Sequence, residues 1–185
     1  MDATTPHDLI DFWTAAGPKA WFRRDPAFDA AMRTRFEAAH LAASRGELDG
    51  WRQSSVGALA LVLLLDQVPR NIYRGSAHAY ATDGLAQEVA ARAIDAGFDQ
   101  AAPANLQAFF YLPFEHAEDA SAQRRSVALF EAHAARTGDA GYLRYAQIHA
   151  EIIARFGRFP HRNVVLGRIT TSDEAAFLVG GGFRG

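Results

Sequence analysis

At 185 residues, of which 49% are hydrophobic and 22% charged, the chain is long enough to bury a sizeable core and has the composition of a globular domain. Its formal net charge of −2 provides no field that would attract nucleic acid or an anionic membrane. The absence of cysteine excludes disulfides, thiolate metal sites and cysteine nucleophiles.

The start of the sequence and its longest apolar run both favour a cytoplasmic protein. No basic segment followed by an apolar stretch opens the chain, so we expect no signal peptide. The apolar run from Val56 to Leu65 is too short to span a bilayer and is typical of a buried core helix. We therefore expect no membrane and no nucleic acid among the partners.

Helix signals begin near the N-terminus and continue along the chain. Asp25 followed by Pro26 is typical of an N-cap and a first helical residue. Ser54 or Ser55 can cap the next helix, which is apolar on all sides and is therefore predicted to be central. Pro69 is predicted to end that helix because proline cannot continue the hydrogen-bond ladder.

The second half carries similar signals and none typical of strands. The predicted boundaries are a start at Thr82 or Asp83, a short helix from Pro103 to near Pro113, a start at Asp119 or Ser121, a stop at Gly157, and a capping box from Thr171 to Glu174. His149 falls on the apolar face of one of these helices and is interpreted as a hydrogen-bonded core histidine. The sequence predicts an all-α fold with a single domain of about eight or nine helices over residues 1–179 and a flexible glycine-rich tail over residues 180–185.

Three apolar helix-like runs end at a proline and continue into charged and amide residues. The prolines are Pro69, Pro113 and Pro160, so the spacings are 44 and 47 residues. Units of this length fall within the size range of helical repeats, and three units are the minimum that stack into a continuous core. We therefore expect repeated helical hairpins that bring their polar ends together.

The residue types at these polar ends suit a cleft that binds a small polar or anionic ligand. A carboxylate in the last turn of a helix opposes the backbone dipole, so Asp66 requires a compensating arginine. Other arginines could bind a phosphate or carboxylate through two hydrogen bonds, and a histidine could orient the ligand or transfer a proton. The candidate ligand-binding residues are Asp66, Arg70, His116, Arg158, His161 and Arg162.

Two other interpretations of the polar ends stay open. The same residues fit a purely structural network of ion pairs and caps, and the protein would then be a tetratricopeptide-like module that binds a protein partner. A metal site is disfavoured because the histidine and glutamate spacings typical of helical metal sites are absent and nearby arginines would repel a cation. We predict no metal and no cofactor, and the sequence indicates neither catalysis nor its absence.

A family resemblance is strongest in three segments, which are residues 63–75, 111–116 and 156–163. The chain resembles the bacterial domain-of-unknown-function family numbered 924, and this resemblance extends over about residues 8 to 178. Ala117 stands where that family usually has serine. The resemblance implies an all-α fold similar to tetratricopeptide-type repeats, and it implies no particular activity or catalytic residues.

Overall fold

The computed structural model describes residues 4–183, and within this range it contains helices and turns but no strand. The all-α fold class is thus confirmed, and eight of the helices have seven or more residues. The α-helices are α1 (Pro6–Ala16), α2 (Pro18–Trp21), α3 (Pro26–Ser44), α4 (Ser55–Val62), α5 (Val68–Ile72), α6 (Asp83–Asp95), α7 (Phe98–Ala101), α8 (Ala104–Glu115), α9 (Ala120–Thr137), α10 (Gly141–Phe156) and α11 (Ser172–Val179). Short 3-10 helices span Asp49–Gln53, Ala77–Tyr80 and Pro160–Arg162, and a π-helical segment spans Leu63–Gln67.

The described residues group into two compact units. The first unit contains residues 4–74 and 78–113, and the second contains residues 75–77 and 114–183. The extent of a single domain over residues 1–179 and the flexibility of the tail over residues 180–185 stay predictions. Residues 1–3, 184 and 185 lie outside the described range.

Several helix ends lie where local sequence signals predicted them. Asp25, Ser54 and Asp119 are the N-caps of α3, α4 and α9, and each side chain accepts a hydrogen bond from a backbone N–H of the following turn. Thr171–Glu174 forms a complete capping box at the start of α11. Gly157 ends α10 in the left-handed conformation, with a φ of 70°. These ends agree with the sequence because the groups that cap them are close neighbours along the chain.

Pro69 does not end its helix, which corrects the sequence prediction. The chain continues from α4 through the π-helical segment into α5, so Pro69 lies inside a longer helical run. Proline lacks an N–H and displaces the carbonyl four residues earlier, which here belongs to Leu65. That carbonyl accepts a hydrogen bond from the hydroxyl of Thr82 instead, so the helix passes the proline without leaving a buried acceptor unsatisfied.

Pro113 also lies inside its helix, because α8 ends two residues later at Glu115. The side chain of Gln123 then caps the end of α8. Its Nε2 donates to the backbone oxygens of Glu115 and Ala117 at 2.7 and 2.8 Å. The helix thus ends near Pro113, as predicted, and this side chain caps that end.

The core of the first unit is built around α4 and an aromatic cluster. Residues 57–62 of α4 are all buried, which confirms that this helix is central. Trp13 stacks on Trp21 at 5.9 Å between ring centres, and both rings contact Phe109 edge-on. The segment Ser55–Ile72 is long and apolar enough to cross a membrane by length and composition, but 83% of it is buried inside the protein, as in the core helix of a soluble protein.

The core of the second unit centres on α9 and α10. These helices are joined by three residues and pack as a helical hairpin, in which Phe130 of α9 stacks on Tyr142 of α10 at 5.6 Å. Ile152, Ile153 and Phe159 form a buried apolar group at the other end of α10. Such a hairpin is compatible with a tetratricopeptide-like arrangement, which itself stays a prediction.

Candidate functional site

The six predicted binding residues are distributed over the two units. Asp66 and Arg70 belong to the first unit, whereas His116, Arg158, His161 and Arg162 belong to the second.

Asp66 lies in the π-helical segment and is fully buried, with 0% exposure. Arg70 Nη1 lies 3.1 Å from its Oδ1 and donates to its backbone oxygen at 2.8 Å, while Gln67 Nε2 donates to Oδ2 at 2.6 Å. The same guanidinium makes two hydrogen bonds to Asp83, at 2.7 and 2.9 Å. Arg70 is therefore the arginine that compensates the buried charge, and two carboxylates of the protein already face it.

Arg158 is likewise paired within the protein. Its Nε and Nη2 donate to the two carboxylate oxygens of Glu174 at 2.6 and 2.9 Å, and Nη2 also donates to the backbone oxygen of Ile169. These bonds from Arg158, together with the backbone N–H of Thr171, lower the pKa of Glu174 to about 2. The pair joins the turn after α10 to the first turn of α11.

Three histidines come together in the second unit around two phenylalanines. The ring of His149, which is buried, lies 6.4 Å from that of His116, 5.3 Å from Phe159 and 4.5 Å from Phe183. The ring of His161 lies 5.6 Å from Phe159 and 5.4 Å from Phe183. His116, His149 and His161 are called the histidine cluster below. His116 and His161 are half-buried, so solvent reaches the cluster through them.

A backbone hydrogen bond orients His149, and a buried carboxylate lies beside it. Glu115, which is 3% exposed, places Oε1 3.3 Å from His149 Nδ1, and the backbone oxygen of Tyr145 lies 2.8 Å from the same nitrogen. Because a carbonyl oxygen can only accept, Nδ1 carries the hydrogen, and Nε2 is the unprotonated nitrogen of the neutral ring.

Arg162 lies beside this cluster, and His149 is held in its neutral form. Arg162 is 6% exposed, and its guanidinium lies 4.5 Å above the ring of Phe159. Burial, and then the positive charges of His116, Arg162 and His161, lower the pKa of His149 to about 3, although its hydrogen bond to Tyr145 opposes this. His149 is therefore neutral at pH 7.

Glu118, the other acidic side chain near the cluster, is bound by its own partners. Its Oε1 accepts a hydrogen bond from the backbone N–H of Phe159 at 2.8 Å, and its Oε2 lies 2.7 Å from Arg168 Nη2. It thus holds the Phe159 turn in place. Within residues 4–183, no group of three or more histidine, aspartate or glutamate side chains is arranged to hold a metal ion.

His149 and Glu115 were not predicted as members of this site. The predicted hydrogen bond of a core histidine is confirmed for His149, but its neighbours include the two predicted histidines as well as apolar residues. For Glu115, the signal in the sequence is that it directly precedes His116 in the polar end after Pro113.

Comparisons with known proteins agree with the fold and name no activity. The family described as bacterial protein of unknown function (DUF924) matches residues 9–182. A solved structure of a protein of unknown function from Agrobacterium tumefaciens is 50% identical in sequence, covering 95% of this chain and 97% of that one with a TM-score of 0.90. A search of curated proteins found no significant match.

Proposed function

The chain belongs to the bacterial DUF924 family, and we propose that it binds a small anion, such as a phosphate or a carboxylate, at the histidine cluster and Arg162. The observation that carries the proposal is that His116, His161 and Arg162 all lie close enough to His149 to act on its pKa, and that their rings and guanidinium share the neighbours Phe159 and Phe183. A bound anion would interact favourably with the charge of Arg162 and with the N–H groups of the histidines.

The exposure of the individual side chains supports a route for the ligand. His116 and His161 are partly exposed, whereas His149, Glu115 and Arg162 are buried. Guanidinium and imidazole N–H groups form charge-assisted hydrogen bonds with anions, and partial burial strengthens such bonds. His116, His161 and Arg162 are therefore the proposed contacts to the ligand.

The other three candidates are proposed to stabilise the fold. Arg70 faces Asp66 and Asp83, and Arg158 faces Glu174, so the charge of each arginine is already balanced by the protein. An anion near these arginines would have to compete with a carboxylate that is held in place. The proposal thus assigns Asp66, Arg70 and Arg158 to structure and leaves binding to the second unit.

The proposal is tested by measuring how inorganic phosphate and acetate shift the thermal midpoint of the wild-type protein and its variants. An anion at 100 times its dissociation constant adds about 2.7 kcal/mol to the free energy of unfolding, which gives a clear upward shift. We expect His161→Gln and His116→Gln to lose most of this shift, and Arg162→Lys to weaken it because lysine lacks the planar fork.

The matched control for this test is His7→Gln, which removes an exposed histidine from α1 in the first unit and should keep the full shift. A wild-type midpoint that neither anion raises would refute the proposal. So would a shift that is equally large in His161→Gln and in the control.

A further inference from the structure

An exposed groove runs along the outside of the α9–α10 hairpin, apart from the histidine cluster. Its volume is about 330 Å³, and its centre is lined by Val127 and Ala128 of α9 and by Ala150 and Ala154 of α10. These four residues define the alanine groove. Because alanine side chains are short, they allow another helix to approach closely.

Two oppositely charged residues flank the centre of this groove on α9. Arg124 and Glu131 are both exposed and both line the groove. They are seven residues apart, so they lie on the same side of the helix at a distance of about two turns. Within residues 4–183, no ion pair engages either side chain. The midpoint between them falls at Val127 and Ala128.

We propose that a second copy of this chain docks on the alanine groove, with the two α9 helices antiparallel about a two-fold axis at Val127 and Ala128. In this arrangement Arg124 of each copy faces Glu131 of the other copy, which forms two equivalent ion pairs. Such an interface is isologous, since the same patch is used on both copies. With 18 residues, α9 is long enough to carry both pairs and the apolar centre between them.

The order of the charges favours a second copy over an unrelated helix. A patch with a positive end and a negative end is complementary to itself when it is turned around, so no other protein has to supply matching charges.

The test is sedimentation velocity on the full chain over a range of concentrations, with charge reversals on α9. We expect wild-type protein to form a dimer, and Arg124→Glu and Glu131→Arg each to weaken it by about tenfold or more, because both ion pairs become like-charge contacts. An equimolar mixture of the two variants should recover the dimer, since Glu at position 124 then faces Arg at position 131. The control is Arg144→Glu, an exposed charge reversal on α10 outside the groove.

Several outcomes would overturn the proposal. Wild-type protein that stays monomeric at millimolar concentration excludes the dimer. A dimer that survives both reversals uses another surface, and a dimer that the mixture does not recover lacks the antiparallel pairing. Circular dichroism of each variant shows that it is folded, and a phosphate-induced rise of the thermal midpoint that persists in Arg124→Glu separates this result from the anion-binding test.

Discussion

Asp66 and Glu115 are both buried carboxylates, but the groups that face them differ. Asp66 faces the guanidinium of Arg70 and the amide of Gln67, whereas Glu115 faces His149, a ring that is neutral at pH 7. A buried charge loses its hydration, and only well-placed partners offset that loss. The surroundings of Asp66 are therefore those of a stabilising ion pair, whereas Glu115 lies beside the buried ring of the histidine cluster.

Replacing Asp66 with asparagine should destabilise the fold strongly. Asp66→Asn leaves the shape nearly unchanged but removes the charge that Arg70 faces at 3.1 Å. Losing one partner of a buried pair typically costs about 3–5 kcal/mol, although Asp83 should reduce the loss here. The measurement is the free energy of unfolding in urea, with the exposed Asp49→Asn as the control, for which we expect a change below about 1 kcal/mol. Equal losses in the two variants would contradict a stabilising role for Asp66.

Only some of these residue contacts could be predicted from the sequence. Arg70 is four residues after Asp66, and residues at that spacing face each other on a helix. Glu174 is 16 residues after Arg158 and is separated from it by turns, so no local pattern indicates the pair. His149 on α10 and His116 in the turn after α8 meet only because the fold brings these segments together. A sequence shows which residues have suitable chemistry, while their distant partners depend on the tertiary structure.

At the scale of an element, the π-helical segment depends on side chains that bind its backbone oxygens. Three consecutive backbone oxygens, those of residues 64, 65 and 66, are each bound by a side chain. The partners are His40 Nδ1 for Leu64, the hydroxyl of Thr82 for Leu65, and Arg70 Nη1 for Asp66. π-Helical turns are rare, and their backbone groups need such partners when they are buried. These three side chains stabilise the only π-helical segment within residues 4–183.

Removing the hydroxyl of Thr82 should therefore weaken this segment. Thr82→Val keeps the shape of the side chain but leaves the buried oxygen of Leu65 without that donor, which costs about 1–3 kcal/mol. The matched control is Thr34→Val on the exposed face of α3, where the hydroxyl bonds to the backbone oxygen of Ala30. Urea unfolding should show a clear loss for Thr82→Val and a change within about 0.5 kcal/mol for the control. A loss confined to Thr34→Val, or no loss in either variant, would show that the hydroxyl of Thr82 is dispensable.

The helix starts could be predicted from the sequence, whereas the continuation of a helix past Pro69 could not. Asp25 and Asp119 cap helices through backbone groups two or three residues away, so the signal is local. Pro69 was expected to stop its helix, but the hydroxyl of Thr82 binds the carbonyl of Leu65, which the proline leaves without its usual donor. A proline rule that considers only local contacts cannot include such partners.

At the scale of the whole molecule, buried histidines couple the stability of the fold to pH. Burial is the main cause that lowers the pKa of His40, His133 and His149. In the unfolded chain each would titrate near its usual value of about 6.5. The unfolded state therefore takes up more protons below that pH, so the fold is most stable above it and loses stability as the pH falls towards the folded pKa values.

His149 should account for a measurable part of this loss. Its folded pKa is about 3, so between pH 6.5 and pH 5 its contribution falls by up to about 1.4 kcal/mol per pH unit, or about 2 kcal/mol in total. We expect His149→Gln to lose about that much less stability than wild type between pH 7 and pH 5 in urea unfolding. The exposed His7→Gln should follow the wild-type curve. Identical pH dependence in His149→Gln and wild type would show that the ring is not held neutral in the fold.

The π-helical segment also makes the contacts of α5 tolerant of one particular change in chain length. A π-helical turn holds one residue more than an α-helical turn, because its hydrogen bonds join residues five apart instead of four. Deleting one residue between positions 63 and 67 would therefore restore an ordinary α-helical repeat and leave α5 facing the same way. Asn71 and Arg74 would still reach Asp29 at the start of α3. Such a deletion would thus keep contacts that are broken when an ordinary helix loses a residue and turns by about 100°.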